Sequence, residues 1–519
     1  MSSYTNKILP KEKLKKEIEQ LKKQGKVVVQ CHGCFDIIHP GHIRYLEQAK
    51  KFGDILIVSL TPDKYILKGD DRPFMPQELR LKNMAALQIV DYVILDEDSW
   101  AGPILSYLQP DIYVKGKEYE NVFSGVFGDE RKAVEAYGGK VYFTSGDVVF
   151  SSSSIIQNYK EKFALDYEVY SIFCERNKIT YQSVQQLIEK FDETKIAVIG
   201  EVLVDEYVYS DVIGVSGEAP ILTVRPLKQN NYTGAAGIVA KHIRSLGGEV
   251  TLFSYTGKDK VAQFIKSDLE KNGLNYFFIE NEKFNTIRKT RFISDHQKLL
   301  KIDYSENIIL SDDEEKAIIE AVQEKCAGYD VIVFSDFAYG LITEKIRVAV
   351  TQWANSKGIK VIADVSSTLG GNIARYEDVY LITPTEKEAR MVFDDKTSGL
   401  STIAYRLLEK THAQNIIITL GANGLLAFKN KPFTVYGRKE KHLEQEYIPA
   451  LEKNAKDPVG AGDAMLATIS MVIAANGTLS EAVYLGNMAS AIEVMKEGNI
   501  PVTRAELLEK INTRPELSK

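Results

Sequence analysis

Along the first 160 residues, short apolar runs rich in β-branched residues alternate with longer segments of helical spacing. The runs fall at residues 27–29, 55–60, 92–95, 112–114 and 141–144, and the spacing predicts helices over 43–52 and 77–89. Strand and helix in alternation predict parallel strands joined by right-handed crossovers. An antiparallel sheet would need tight hairpin turns, and the segment offers few. Residues 155–194 change character: Lys, Glu, Tyr and Gln dominate, with Val184, Leu187, Ile188 and Phe191 at helical spacing. They read as a helical connection with a domain boundary near 165–178. A second alternation then begins. Its strands are predicted at 195–200, 250–254, 331–335, 361–363, 379–382 and 416–419, and its helices at 235–246, 261–272 and 345–357. Between Tyr207 and Tyr232 the pattern breaks into short alternating pieces with turn residues, which predicts a small β-extension.

Composition narrows the class. A chain of 519 residues allows two to four domains. Apolar residues make up 44% and charged residues 26%, which excludes general disorder, collagen and a small disulfide scaffold. The balance of 71 acidic against 65 basic residues, a net charge of −6, is too mild for a nucleic-acid coat or a membrane-surface protein. Any polyanion must therefore be handled by local sites. Cys31 and Cys34 form one C-x-x-C, while Cys174 and Cys326 stand alone, so a secreted disulfide framework is not expected. The N-terminus is polar and lysine-rich, without the apolar stretch of a secretory signal. The run at 465–475 is too short and polar to span a bilayer. The expected setting is the cytoplasm, with no nucleic acid and no membrane as partner.

The first chemical candidate is GCFDIIHPGH at residues 33–42, directly after the first predicted strand. Strand, glycine turn and helix start together place unpaired amides and a helix dipole at the carboxyl edge of a parallel sheet, where anions bind. His39 and His42, three apart, can share one face and stabilise charge developing at phosphorus. Two surface histidines near a turn would be the bland alternative. A metal site using Cys31, His32, Cys34, His39 and His42 is a further one, but no second ligand pair closes it.

This decapeptide resembles the H-x-G-H motif of the cytidylyltransferase-like nucleotidyltransferases. LKGDDRP at 67–73 and PDIYVKG at 110–116 resemble the sugar-phosphate branch, above all the adenylyltransferase half of the bifunctional heptose kinase/adenylyltransferases. The resemblance covers about residues 26–157. It implies that His39 and His42 act on the nucleotide phosphates during transfer. It further implies that Gly33, Phe35, Gly41, Lys68, Lys115 and the late serines, Ser152 and Ser153 among them, line the nucleotide site. Arg80 stands where either a phosphate-binding or a solvated helix arginine is plausible. Cys31 and His32 depart from the family's small polar residue and Asn, and no arginine precedes the serines. The base, ATP or CTP, stays open.

The second candidate is DPVGAGDA at 457–464, followed by an apolar helical run. Small residues at a helix start let amides approach a phosphoryl group. An acid in the first turn can accept a proton from an attacking hydroxyl. A glycine-rich N-cap with Asp463 as dipole partner is the alternative. The octet resembles the signature of the ribokinase/PfkB sugar kinases. TLGANG at 419–424 resembles their nucleotide loop, and residues 200–209, 218–220 and 233–236 resemble the opening of the heptose-kinase branch. The resemblance covers about 180–512. It implies two Rossmann-like α/β domains, 1–165 and 178–519, the second a ribokinase-like sandwich with a small β-lid near 207–232. Asp463 would be the base, and Gly460, Ala461 and Gly462 the anion hole. Thr419, Gly421 and Gly424 would bind nucleotide, Asp205 and Gly234 the sugar, and Glu388 the metal. Mg²⁺, ATP and a homodimer are implied too.

The kinase half departs from the family at several positions. Thr233 and Gly237 replace the first Gly and the Asn of G-G-A-A-N, and Thr385 replaces the Asn of N-x-x-E. Tyr339 and Ser366 stand where heptose kinases often carry lysines, natural partners of a substrate phosphate. A kinase substrate other than heptose 7-phosphate is therefore expected. In series, the halves would phosphorylate a sugar and then join the sugar phosphate to a nucleotide, yielding a nucleotide-diphospho-sugar for a surface glycan. The alternative readings are that one half is a regulatory or dimerising binding module, or that the transferase is a polyol-phosphate cytidylyltransferase.

Overall fold

The computed structural model describes residues 3–66, 73–144, 166–294, 297–437, 441–453 and 455–517. Lys68, Ser152 and Ser153 lie outside the described residues. The chain forms two compact units. One comprises Met1–Ile172 with Gly399–Thr402 and Lys431–Glu444, and the other Phe173–Ser398, Ile403–Asn430 and Gln445–Lys519.

In the first unit, β1 (Val28–Gly33), β2 (Ile55–Leu60), β3 (Tyr92–Leu95), β4 (Ile112–Lys115) and β5 (Lys140–Phe143) form one sheet, ordered β3-β2-β1-β4-β5. Every pairing is parallel. The strands are short and apolar because both faces are covered. Val29 and Cys31 enter one core cluster with Leu46 and Met84, and Val28 enters the opposite one with Leu14 and Tyr113. With β1 central, its carboxyl end opens at the switch point where chain direction across the sheet reverses.

The second unit carries β6 (Lys195–Gly200), β7 (Val202–Val215), β8 (Leu222–Ala235), β9 (Glu249–Thr256), β10 (Asn275–Glu280), β11 (Arg288–Ser294) and β12 (Gln297–Tyr304). They are followed by β13 (Val331–Asp336), β14 (Lys360–Val365), β15 (Leu381–Ile382), β16 (Asn415–Thr419), β17 (Leu425–Thr434) and β18 (Lys441–Ile448), of which Lys431–Thr434 and Lys441–Glu444 fall in the first unit by the division above. The large sheet is ordered β10-β9-β6-β13-β14-β15-β16-β17-β18. It is parallel from β10 to β16, and β17 returns antiparallel to β16. A separate four-stranded sheet, β12-β11-β7-β8, forms the lid.

The lid is larger than residues 207–232. The hairpin of β11 and β12 pairs onto β7 and doubles it. Its residues are exposed or half-exposed along much of both strands, so no apolar alternation marked it in the sequence. The helix Ala461–Ala474 is buried on nearly all sides, which explains its apolar run. Among the described residues, no helix is long and apolar enough to cross a membrane.

Candidate active sites

The first site is built where β1 ends. Two positions after Gly33 stands Phe35, whose φ of 45° lies in the left-handed region that costs a bulky residue energy. The turn is held from below. Asp36 accepts the amides of Phe74 at 3.0 Å and Met75 at 2.9 Å. Arg80 is fully buried, donating to the carbonyls of Met75, Cys34 and Thr61 and to Asp63 Oδ1. It is neither a solvated helix arginine nor open to a phosphate; it clamps the loop's carbonyls.

His39 caps the helix Pro40–Lys50, its Nδ1 accepting the Gly41 amide at 3.2 Å. The rings of His39 and His42 stack with centroids 3.8 Å apart, and Phe35 meets His42 edge-on at 5.2 Å. A Cβ at Gly41 would stand 2.9 Å from His39 Cε1, so glycine is what lets the ring lie there. Burial holds His39 below the usual histidine range. His39 is thus favoured as the neutral imidazole, and with Nδ1 accepting the Gly41 amide its Nε2 can donate to an anion. Lys115, from the end of β4, is paired to Glu130 at 3.2 Å and lies over the rings of Tyr113, Tyr119 and Phe127.

The other metal candidates of this region have structural work. His32 is bonded to Ser59 Oγ at 3.0 Å and Thr61 Oγ1 at 3.2 Å, and burial pushes it down to about 3. Cys31 is buried in the core and its thiol is pushed up to about 12 by burial, so sensitivity to thiol reagents is not expected there.

The second site lies around the start of the Ala461–Ala474 helix. Gly460 is its N-cap at φ +93°, and Asp463 stands in its first turn. A cleft of about 760 Å³ is lined by Ala461 and Gly462, by Thr419, Gly421 and Gly424, and by Thr385 and Arg390. Gly424, at φ +92°, would put a Cβ 2.1 Å from the Ile448 carbonyl, so the loop requires glycine. Burial raises the Asp463 carboxyl well above the usual carboxylate range; Asp364, Asp205 and Glu493 add to this, and Lys289 opposes it.

Asp205, on β7, is buried, ion-paired with Arg291 and bonded by Asn499 Nδ2 at 2.6 Å. Gly234 packs directly on it, since a Cβ there would lie 2.3 Å from Asp205 Oδ2. Thr233 and Gly237 change together for a steric reason: a Cβ at 237 would meet Thr233 Cγ2 at 2.4 Å. Thr233 leaves no room for the family's Asn, and its hydroxyl goes instead to Asp268 at 2.6 Å.

Glu388 is occupied locally. It closes a capping box with Thr385, accepting that residue's amide at 2.9 Å and hydroxyl at 2.8 Å, and its other oxygen takes the Ser367 amide at 3.0 Å. Among the described residues, no group of three or more His, Cys, Asp or Glu could hold a metal ion. The donor set does not fit an all-protein metal cage, and direct ligation by Glu388 would compete with those three bonds.

Several groups at this site were not singled out in the sequence. Glu201 is buried and accepts the amides of Phe337, Tyr339 and Leu341, fixing the SDFAYG loop. Asp457 accepts from Tyr207 at 2.9 Å, Lys298 at 2.7 Å and the Val459 amide at 3.1 Å. Burial favours its protonation, but those donors outweigh it and hold the carboxyl below its usual range. Lys289 rests over the rings of Tyr339 and Phe337. An acid closing the apolar KIAVIG strand was the one local signal available for Glu201. Lys289 comes from a hairpin that the pattern did not reveal, and Asp457 opens the DPVGAGDA segment, whose sequence does not show its distant partners Tyr207 and Lys298.

Residues 30–158 match the family model for cytidylyltransferase-like proteins. The bifunctional protein HldE of Shewanella piezotolerans is 29% identical over 324 residues, 62% of this chain and 64% of that protein. HldE of Hahella chejuensis is 30% identical over 326 residues, 62% and 65% of the two. The chain thus spans a little under two thirds of the length of the curated relatives it matches. Among solved structures, phosphofructokinase-2 from Escherichia coli in complex with potassium superposes with a TM-score of 0.52 at 17% identity, over 63% of this chain and 99% of that one. Its complex with fructose-6-phosphate gives 0.51 at 17%, over 62% and 99%. These likenesses show a shared fold. Residues 193–505 match the model for pfkB family carbohydrate kinases, more than half of the chain, and the chain belongs to that family.

Proposed function

We propose that this protein is a bifunctional enzyme, a sugar kinase joined to a sugar-phosphate nucleotidyltransferase, whose product is a nucleotide-diphospho-sugar. The observation that carries this reading is the presence of two separate helix N-termini with different chemistry: stacked imidazoles at Pro40–Lys50, and a carboxylate on a glycine turn at Ala461–Ala474.

In the kinase half, the nucleoside triphosphate lies in the cleft between the Thr419–Gly424 loop and the Gly460, Ala461, Gly462 turn. Asp205, kept close by Gly234, orients the sugar. Asp463 takes the proton as the sugar hydroxyl forms a bond to the γ-phosphorus and the bond to the β-phosphate oxygen breaks, releasing the nucleoside diphosphate. The turn's amides receive the charge that develops on the phosphoryl oxygens. Mg²⁺ bound to the phosphates would neutralise their charge.

In the transferase half, an oxygen of the sugar phosphate bonds to the α-phosphorus of ATP or CTP and pyrophosphate leaves. His39 and His42 donate to the phosphates, and Lys115 adds positive charge if it exchanges Glu130 for them. The lid's exposed apolar residues, Val212, Ile213, Val215, Ile221 and Leu222 among them, suit a homodimer formed through that sheet.

The test separates the half-reactions. His42→Ala abolishes pyrophosphate release and spares ADP formation from a sugar panel, while Asp463→Asn does the reverse. A single substitution that stops both equally would refute two independent sites.

A further inference from the structure

A buried polar pair lies beneath the kinase turn, and the mechanism above does not use it. Glu493, at the end of the helix Leu479–Glu493, is 1% exposed, and neither carboxylate oxygen has a well-formed hydrogen bond. Asn499 is 3% exposed and its Oδ1 likewise has no donor. Burying polar groups without well-formed hydrogen bonds is costly, so their retention calls for a reason.

Their placement supplies one. A Cβ at Gly460 would lie 3.1 Å from Glu493 Oε1 and 3.4 Å from Asn499 Oδ1. On the other side, Asn499 Nδ2 donates to Asp205 Oδ2 at 2.6 Å, and a Cβ at Gly234 would lie 3.1 Å from that nitrogen. One carboxamide therefore bridges the lid strand that carries Asp205 and the turn that opens the phosphoryl-binding helix. Burial pushes Glu493 up to about 8, with Asp457 and Glu506 adding to it and Lys496 and the Ile500 amide opposing it. At neutral pH its protonated form is thus favoured, and it stands with the Asn499 amide oxygen against Gly460. The position also answers a departure in the sequence. The Asn expected at 237 is absent, excluded by Thr233, and an amide from the C-terminal segment stands against Asp205 instead.

We propose that Asn499, backed by Glu493, is a positioning residue of the sugar site: it fixes the Asp205 carboxylate relative to the Gly460 turn, and so sets the sugar hydroxyl against the phosphoryl group. This rests on the kinase reading above. The full-length protein is assayed for ADP formation with whichever free or phosphorylated hexose or heptose of a panel serves the parent best. Asn499→Ala raises the KM for that sugar at least tenfold and leaves the KM for ATP within twofold. Asn499→Asp is worse, because it sets a carboxylate against Asp205. Glu493→Gln, a neutral isostere, stays near the parent, and Glu493→Ala follows Asn499→Ala. Pyrophosphate release by the other half and thermal unfolding report folding; if Asn499→Ala does not fold, Asn499→Ser carries the test. A folded variant with an unchanged sugar KM, or equal rises in both KM values, overturns this proposal alone. A parent protein that makes no ADP with any sugar overturns the kinase reading, and this proposal with it.

Discussion

Gly234→Ala is a small substitution with a large expected effect on one half-reaction. The new methyl would lie 2.3 Å from Asp205 Oδ2, 2.8 Å from Leu203 Cδ1 and 3.1 Å from Asn499 Nδ2. Ordinary contact needs about 3.5 Å, so the carboxylate must retreat by about 1 Å. It cannot rotate away freely, because Arg291 and Asn499 hold it. Gly234 is not at positive φ, so alanine's backbone preference adds nothing and the effect is steric. A misplacement of about 1 Å costs on the order of 100-fold in rate, which corresponds to about 2.7 kcal/mol. Sugar-dependent ADP release should therefore fall about 100-fold in kcat/KM by this estimate, with pyrophosphate release by the other half unchanged. Gly328→Ala, where nothing lies within 4 Å, is the control expected to be neutral. A folded Gly234→Ala protein within about threefold of the parent would sink the argument that Asp205 must sit where it does.

Other outcomes follow from single groups. Lys289 is the cation opposing the rise of Asp463, so Lys289→Met should push that carboxyl higher; kinase rate at neutral pH falls and recovers at more alkaline pH, read from the acid limb of the pH–rate profile. His242 is buried and pushed down to about 3 by burial, with Nδ1 accepting the Val502 amide at 2.9 Å. The unfolded chain binds that proton below about pH 6.5 and the native state does not. Stability from His242 is thus present above that pH and lost as pH falls towards 3; His242→Asn should lose less on going from pH 7 to pH 5, by chemical denaturation. Arg80→Met breaks a buried pair and three carbonyl contacts, so it should cost about 3–5 kcal/mol, measured as a lower denaturation midpoint for the first unit.

Most sheet strands were legible because strands buried on both faces must be apolar whatever surrounds them. KIAVIG at 195–200 coincides with β6, and the run at 55–60 coincides with β2. Helix starts were legible for a related reason. Glycines and small residues at the start of a helical run state a local backbone requirement, as at Gly41 and Gly460. The hairpin of β11 and β12 was not legible, since strands exposed on both sides carry no contrast. With it went Lys289, Arg291 and Lys298, each of which meets a carboxylate or aromatic ring far away in sequence.

Local chemistry along the chain determined two stretches of alternating strand and helix, the parallel direction of most of the core strands and the two turns at which an anion can be held. Those features depend on neighbours a few residues apart: propensity, glycine freedom and the helix dipole. Tertiary structure alone decided which groups are free to act. Arg80 turned from a possible phosphate ligand into a buried clamp, Glu388 into a helix cap, and His32 into a neutral bridge between hydroxyls. It also brought Asn499 to Asp205 across 294 positions. Ionisation and hydrogen bonding answer to burial and to partners in space, and neither is written in the residues alongside.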